Sequence, residues 1–454
     1  MDATVTAAAI GVGGSVIVAL AAFWANVRNT NKTTELTHRA LQLTEQGQVI
    51  DQYSRAVGQL GSDKAPIRLG ALYALERFAQ DNLAHRQSTV NVICAYLRMP
   101  FPLTPPASEP VPEPGEGARE PVPGAEVAAL ADNGDDWQQE KQVRLTAQRV
   151  LGEHLRRIPP DAQPSADPAV DLFWPGIRLD LTGATLIDFS CDGAELADAQ
   201  FRGATFHSDA RFGGAAFNGR AEFGAATFHG TARFEKATFH GDAEFGGTIF
   251  NGTARFGGAT FHGGTVRFGG ATFHGTARLE KATFHGNTWF SNATFNGNTW
   301  FSNAAFKGNT SFDSAHFDGG TGWFDGATFS GGARFSEATF KGIARFGKAA
   351  FHGDARFGGA TFHGDAEFGG AAFHGDARFG GATFSGGARF SEATFKGTAL
   401  FDNAIFNGMK ETTSFANSRV LTPDAAHIWP KGWCIGETSN GGHTVVRADR
   451  SASS

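Results

Sequence analysis

The sequence predicts an all-β solenoid, a four-sided coil repeated about ten times, preceded by a transmembrane helix and a small α-helical module. Three observations predict it. Of 454 residues 43 are Phe and 60 are Gly, against only 3 each of Tyr and Met, and the Phe recur at alternating intervals of five and six. No charged residue falls between Ala3 and Ala25. Between that run and the Phe-rich half, apolar residues recur at spacings of three and four, the period of an amphipathic helix.

Taking the elements in order, the stretch Ala7 to Trp24 (AAAIGVGGSVIVALAAFW) is apolar or small throughout. At ~1.5 Å per residue such a run is long enough for a ~30 Å hydrocarbon layer. A cleaved signal peptide requires a positive first region, and here only Asp2 precedes the run. The first cations, Arg28, Lys32 and Arg39, follow it, so the positive-inside rule places the rest of the chain on the cytoplasmic side. The expectation is a single-pass anchor over residues 1–27 in the cell membrane, with the bulk of the chain cytoplasmic. Small residues at four-residue spacing (Ala7, Gly11, Ser15, Ala19) would let two such helices pair as a homodimer.

Residues 33–98 read as a helical module with an apolar stripe through Val57, Leu60, Ile67, Leu72, Leu75 and Phe78, then Val90, Ile93 and Leu97. Breaks are expected at Gly61-Ser62-Asp63, with Pro66 suited to a first helical turn, and near Asn82. Residues 99–136 form a linker: nine of the 17 prolines lie between Pro100 and Pro123, and such a segment builds no core but serves as a stiff spacer. A further helix is expected from Trp137 to Arg157, and residues 137–178 as a whole cap the solenoid.

The solenoid itself spans residues 179–406. An apolar residue recurs every five positions at Leu181, Leu186, Cys191, Leu196 and Phe201. From Phe201 to Phe406 the intervals alternate between five and six, and Leu279 is the one centre that is not Phe. Neither helix nor simple strand has that period. A coil does, if each half-repeat is one side, its large residue pointing inward behind a small one two places earlier. Four sides then take 22 residues, and rungs ~4.8 Å apart give a rod about 50 Å long. Intervals of seven at Phe261–Phe268 and Phe317–Phe324, with Gly263-Gly264 and Gly319-Gly320, read as outward bulges at corners. Residues 407–454 supply a C-terminal cap and tail, with Phe415 to Trp433 closing the last rung.

With these residues in view, the Ala-x-Leu/Phe pattern from Leu181 to Phe406 resembles the pentapeptide-repeat proteins, in particular their Phe-rich branch. The resemblance implies a right-handed four-sided β-helix. The segment from Gln48 to Leu97, including AVGQLGSDKAPIRLGALYALERFA, is similar to the helical module of membrane-anchored members.

Charge is nearly balanced, 39 Lys and Arg against 45 Asp and Glu, which removes the strong basic excess of a general nucleic-acid binder. Cys94, Cys191 and Cys434 are odd in number and far apart, which argues against a disulfide framework and for a reducing compartment. Neither GxSxG, a Walker-type loop nor HExxH occurs. No catalytic set, metal site or cofactor is expected. Nine His directly follow a core Phe, some of them 22 apart (His207 and His229, His240 and His262, His352 and His374); they read as a copied solvent-facing element more readily than as metal ligands. The residues before the six-spaced Phe are more suggestive. With a 22-residue coil Arg211, Arg233, Arg255 and Arg278 align with Trp300, Trp323 and Arg345, while Glu222, Glu244, Arg267, Trp289, Ser311, Arg334, Arg356 and Arg378 form the alternate row.

The function expected is a noncatalytic, membrane-tethered scaffold that presents the rod to a protein partner, with Arg211, Arg233, Arg255, Arg278, Trp300 and Trp323 as candidate contacts. The alternative is a DNA mimic acting on a topoisomerase, since some proteins of the resembled family imitate DNA. That reading needs an acidic rod, and Leu181 to Phe406 holds 18 Lys and Arg against 20 Asp and Glu.

Overall fold

The computed structural model describes residues 47–102, 125–157, 172–407 and 413–448. They divide between Phe78 and Ala79 into two compact units. The apolar run from Ala3 to Ala25 and most of the Pro-rich segment lie outside the described residues. Among the described residues no helix is long and apolar enough to cross a membrane. The longest, Ala125–Leu155, is studded with charge. The expected fold class is corrected accordingly: no transmembrane helix belongs to the observed architecture, and the solenoid has about 11 turns, not ten. The terminal coils, with strands at Arg178–Asp180 and Arg419–Val420, complete that count, and they hold Phe too: Phe189 and Phe415 are buried in them.

Helix α1 occupies residues 47–60 and α2 spans Ala65–Asp81. Ser62 starts α2: its hydroxyl accepts the Lys64 N–H at 3.2 Å, and its carbonyl accepts from the Arg68 guanidinium. Leu60, Leu72, Leu75 and Phe78 are buried, whereas Ile67 is 41% exposed; the helical period that put it on the stripe is loose enough to leave one member outside. A single 3₁₀ turn, Leu83–His85, then leads into α3, Arg86–Arg98.

Helix α4, Ala125–Leu155, begins well ahead of Trp137, because AEVAALA is made of strong helix formers that extend the periodic segment backwards. Its Arg144, 2% exposed, ties α4 to α3. The guanidinium donates to the Leu97 and Met99 carbonyls at the end of α3 (3.1 and 2.8 Å) and pairs with Glu140 at 2.8 Å. It also lies 4.8 Å from the Phe101 ring centre. A buried charge whose three nitrogens each donate to a partner is the form in which burial is tolerated.

The solenoid is four parallel sheets wound around one Phe-filled interior. Sheet I runs from Arg178–Asp180 to Ala399–Leu400, sheet II from Thr185–Leu186 to Ile405–Phe406, sheet III from Ala210–Arg211 to Ala388–Arg389, and sheet IV starts at Glu195–Leu196. Most strands are two residues long, one side chain out and one in, or the reverse. Inside, each Phe stacks on the Phe one coil away, as in Phe206 on Phe228 (4.4 Å, 1°) and Phe212 on Phe234 (4.7 Å, 2°). Across the interior the rings meet edge to face, Phe223 and Phe234 at 5.2 Å and 87°. Both geometries suit the ring quadrupole.

Glycine serves two separate needs at the corners. Gly270 has φ +66° and open space around it, and equivalent turns carry Lys281, Asn292 or Asn303 in the same left-handed conformation. Gly297 is different: a Cβ there would sit 2.5 Å from the Gly275 carbonyl oxygen of the rung below. The extra residues at the two long intervals are absorbed at corners too, so Val266 still pairs with Ala243 and Gly322 with Thr299.

Both ends are closed. Two glutamine amides replace the missing strand at the first coil: Gln87 exchanges two hydrogen bonds with the Arg178 backbone (2.8 and 2.9 Å), and Gln148 exchanges two with Ile187 (3.1 and 3.0 Å). Trp174 stacks on His154 of α4 at 4.0 Å. At the other end Ile428 bridges Leu400, Trp429 lies against Phe395, Phe401 and Phe415, and the antiparallel hairpin Trp433–Glu437 and His443–Arg447 finishes sheet IV.

Two predictions follow from this packing, both checked by thermal unfolding and light scattering. Gly297→Ala should cost about 1–3 kcal/mol through overpacking against a backbone that has no room to move, while Gly270→Asn should stay within about 1 kcal/mol of the parent. Removal of the chain after Asn407 should expose open sheet edges and cause aggregation; a soluble truncated protein with a cooperative transition would show that the tail caps nothing.

Candidate functional site

Outward positions on a regular solenoid form straight files, because each strand pairs in register with the strand one coil away. On sheet III the structure places Arg211, Arg233, Arg255, Arg278, Trp300, Trp323 and Arg345 in one such file, continued by Glu367 and Arg389. Sheet I, on the opposite side of the interior, carries the alternate file through Glu222, Glu244, Arg267, Trp289, Ser311, Arg334, Arg356 and Arg378.

The arginine files are not bare cationic stripes. Arg233 pairs with Asp209 at 3.0 Å, Arg255 with Glu235 at 3.6 Å, Arg278 with Glu280 at 2.8 Å, and Arg345 with Asp325 at 3.0 Å. On sheet I, Arg267 pairs with Glu244, Arg334 with Asp313 at 2.6 Å, and Arg378 with Asp376 at 3.0 Å. Several acids lie one coil back, 24 residues earlier for Asp209 and Arg233, so like charges that would repel along the file are interleaved with opposite ones. That spacing is readable in the sequence once the coil is known to be 22 residues, but it is invisible to any search for local charge clusters.

Some of these acids also hold backbone. Asp209 accepts the Thr231 N–H at 2.9 Å, and Asp376 the Thr398 N–H at 3.0 Å. The Thr231 N–H, then the Arg233 guanidinium, keep the Asp209 carboxyl below its ordinary value; for Asp376 the Arg378 guanidinium acts first and the Thr398 N–H second.

Between the charged stretches the file on sheet III turns aromatic. Trp300 and Trp323 stack at 4.7 Å and 6°, and Arg278 lies 5.7 Å from the Trp300 ring centre. The histidine files also stack: His240 on His262 at 5.2 Å, His262 on His285 at 5.0 Å, and His352 on His374 at 4.8 Å. Even so, among the described residues no group of three or more His, Cys, Asp or Glu could hold a metal ion. Burial pushes the Cys94 thiol up to about 12 and the Cys191 thiol higher still, so both stay protonated and unreactive.

A family model described as "Pentapeptide repeats (9 copies)" matches the chain in successive windows, 192–238, 223–272, 234–283, 279–323, 324–372 and 368–419. No curated protein and no solved structure matches it.

The two aspartates set a pH dependence with a definite sign. Their folded pKa values lie below the ordinary 3.8, so their stabilisation is fully present above about pH 4 and is lost as pH falls through the folded values. Both carboxylates are about a third exposed (34% and 32%), so the effect is modest. The thermal midpoint should hold from pH 7 to 5 and fall below pH 4. Asp209→Asn should flatten part of that fall.

Proposed function

The chain belongs to the pentapeptide-repeat family, whose model covers residues 192–419, and from that premise we propose that it is a noncatalytic scaffold whose rod binds a protein partner. Within the family we place it in the Phe-rich branch, which the alternating five and six intervals support. The observation that carries the proposal is the aromatic break in the file on sheet III. Stacked Trp300 and Trp323, flanked by Arg278 and Arg345, form a rigid platform of the residue types that dominate protein interfaces. Around it the guanidinium groups already have carboxylate partners, which favours a partner of mixed charge over a polyphosphate backbone. Arg211, Arg233 and Arg255 extend the same surface toward the N-terminal end of the rod.

The reducing compartment we assign is the cytoplasm, supported by three unpaired cysteines, two of them buried.

Proximity labelling with the full chain fused to a labelling enzyme tests the scaffold, against a chain lacking residues 179–406 and against Trp300→Ala/Trp323→Ala. We expect neighbours that depend on the rod and that fall about tenfold in the double variant, the loss typical of a central aromatic contact. Identical neighbours with and without the rod would overturn the proposal.

A further inference from the structure

The two arginine–tryptophan files repeat one chemical order with a single omission. On sheet III four successive rungs read Arg278, Trp300, Trp323, Arg345. On sheet I the corresponding run is Arg267, Trp289, Ser311, Arg334. Where the first file places its second indole, the second has a hydroxymethyl group.

The omission leaves a notch. Ser311 is only 2% exposed and forms its floor, Trp289 is 39% exposed at one end, and Arg334 and Arg356 stand at the other. The open volume is about 400 Å³, bordered also by Asn309 and Asp354. Trp289 and Arg334 are two rungs apart, about 9.6 Å by the usual strand spacing, which is room for one planar ring between them. The molecule shows what fits such a space, since Trp323 fills it on sheet III at 4.7 Å from Trp300.

The charged groups of the notch and its Ser311 hydroxyl are already engaged. Arg334 holds Asp313 at 2.6 Å and Arg356 holds Asp354 at 3.4 Å. The Ser311 hydroxyl lies 2.9 Å from that of Ser291 and accepts the Asp313 N–H at 3.2 Å. No cation is left over for a phosphate, and the uncommitted feature is the flat face of Trp289. We propose that this notch receives one aromatic side chain, an indole best of all, from a protein partner. The ring stacks on Trp289 and meets the Arg334 guanidinium on its other face, as Arg278 meets Trp300. The proposal rests on the rod being a protein-binding surface, but it uses the face opposite Trp300 and Trp323.

The probe is an end-capped Gly-Trp-Gly peptide added to the full-length protein and followed by saturation-transfer difference NMR, with capped Gly-Ala-Gly and adenosine monophosphate in parallel. Saturable binding of the Trp peptide is expected for the parent and for Ser311→Ala, which keeps the notch open. Ser311→Trp completes the file and should reduce that binding more than tenfold without lowering the thermal midpoint; Trp289→Ala should reduce it as well. No binding to the parent, or binding that survives Ser311→Trp, overturns the proposal. Tighter binding of the nucleotide than of the peptide, dependent on Trp289, would overturn it in favour of a nucleic-acid occupant. Failure here leaves the scaffold reading standing, because the Trp300→Ala/Trp323→Ala arm of the labelling experiment reads the other face.

Discussion

Everything in the rod depends on one match of distances: the spacing at which parallel strands hydrogen-bond is also a spacing at which benzyl rings stack comfortably. Phe columns with centroid separations such as 4.4 Å (Phe206, Phe228) and 5.0 Å (Phe223, Phe245) satisfy both demands together. Once the interior is set at that pitch, each coil of the Phe run closes after 22 residues or pushes its surplus out at a corner, while the first coil, which carries Leu and Cys at the same places, closes after 20. The surplus at Gly263-Gly264 goes to a corner, leaving Thr260 paired with Thr238 before it and Val266 with Ala243 after it. Glycine is needed wherever the corners of neighbouring coils nearly touch, as at Gly297.

A stack of identical coils has no natural end, so the ends require different chemistry. Short strands present unpaired N–H and C=O groups that another chain could join. At the start of the rod the substitute is side-chain amide, since glutamine offers one donor and one acceptor in the arrangement of a peptide group. Gln87 and Gln148 use both against Arg178 and Ile187. Gly152 of α4 makes the second contact feasible, because a Cβ there would fall 2.7 Å from the Ser190 carbonyl oxygen. At the far end a true hairpin takes over, and Trp429 covers the last Phe rings.

What the sequence disclosed follows from this division. A buried Phe in a coil has one place to point, so its period reveals the coil length, the inner residues and the alignment of Arg233 with Arg255. Ion pairs such as Asp209 with Arg233 are hidden because they cross the gap between coils, whereas Arg278 with Glu280 and Arg378 with Asp376 lie two residues apart along the chain. The glutamine clamps left no periodic signal at all, since each acts once. Ile67 and the start of α4 show the limit of helical periodicity: it reports which residues favour a helix and a common face, not where tertiary packing stops using them. Beyond Phe406 the rhythm of five and six fails, since Phe415 comes nine residues later and Val420 takes the place of Phe opposite Phe395, yet both still join the coil.

The middle of the rod departs from its neighbours in a direction that packing does not explain. Most coils place Ala inside and Arg outside at these sheets, but the rungs at Thr288-Trp289 and Thr299-Trp300 place a hydroxyl inside and an indole outside. The inner hydroxyls have weak partners, 3.4 Å from the Gly286 and Gly297 carbonyls, and that of Thr310 has none. Burying such groups costs stability relative to Ala, and leaving an indole half in water forgoes stability relative to burying it. Both changes run against the economy of the repeat, on adjacent rungs and on opposite faces. A rod optimised only to stand would copy its neighbours here. Local rules broken together, without a gain in the fold, are expected where a surface meets something else, and the stretch from Trp289 to Trp323 is where this rod breaks them.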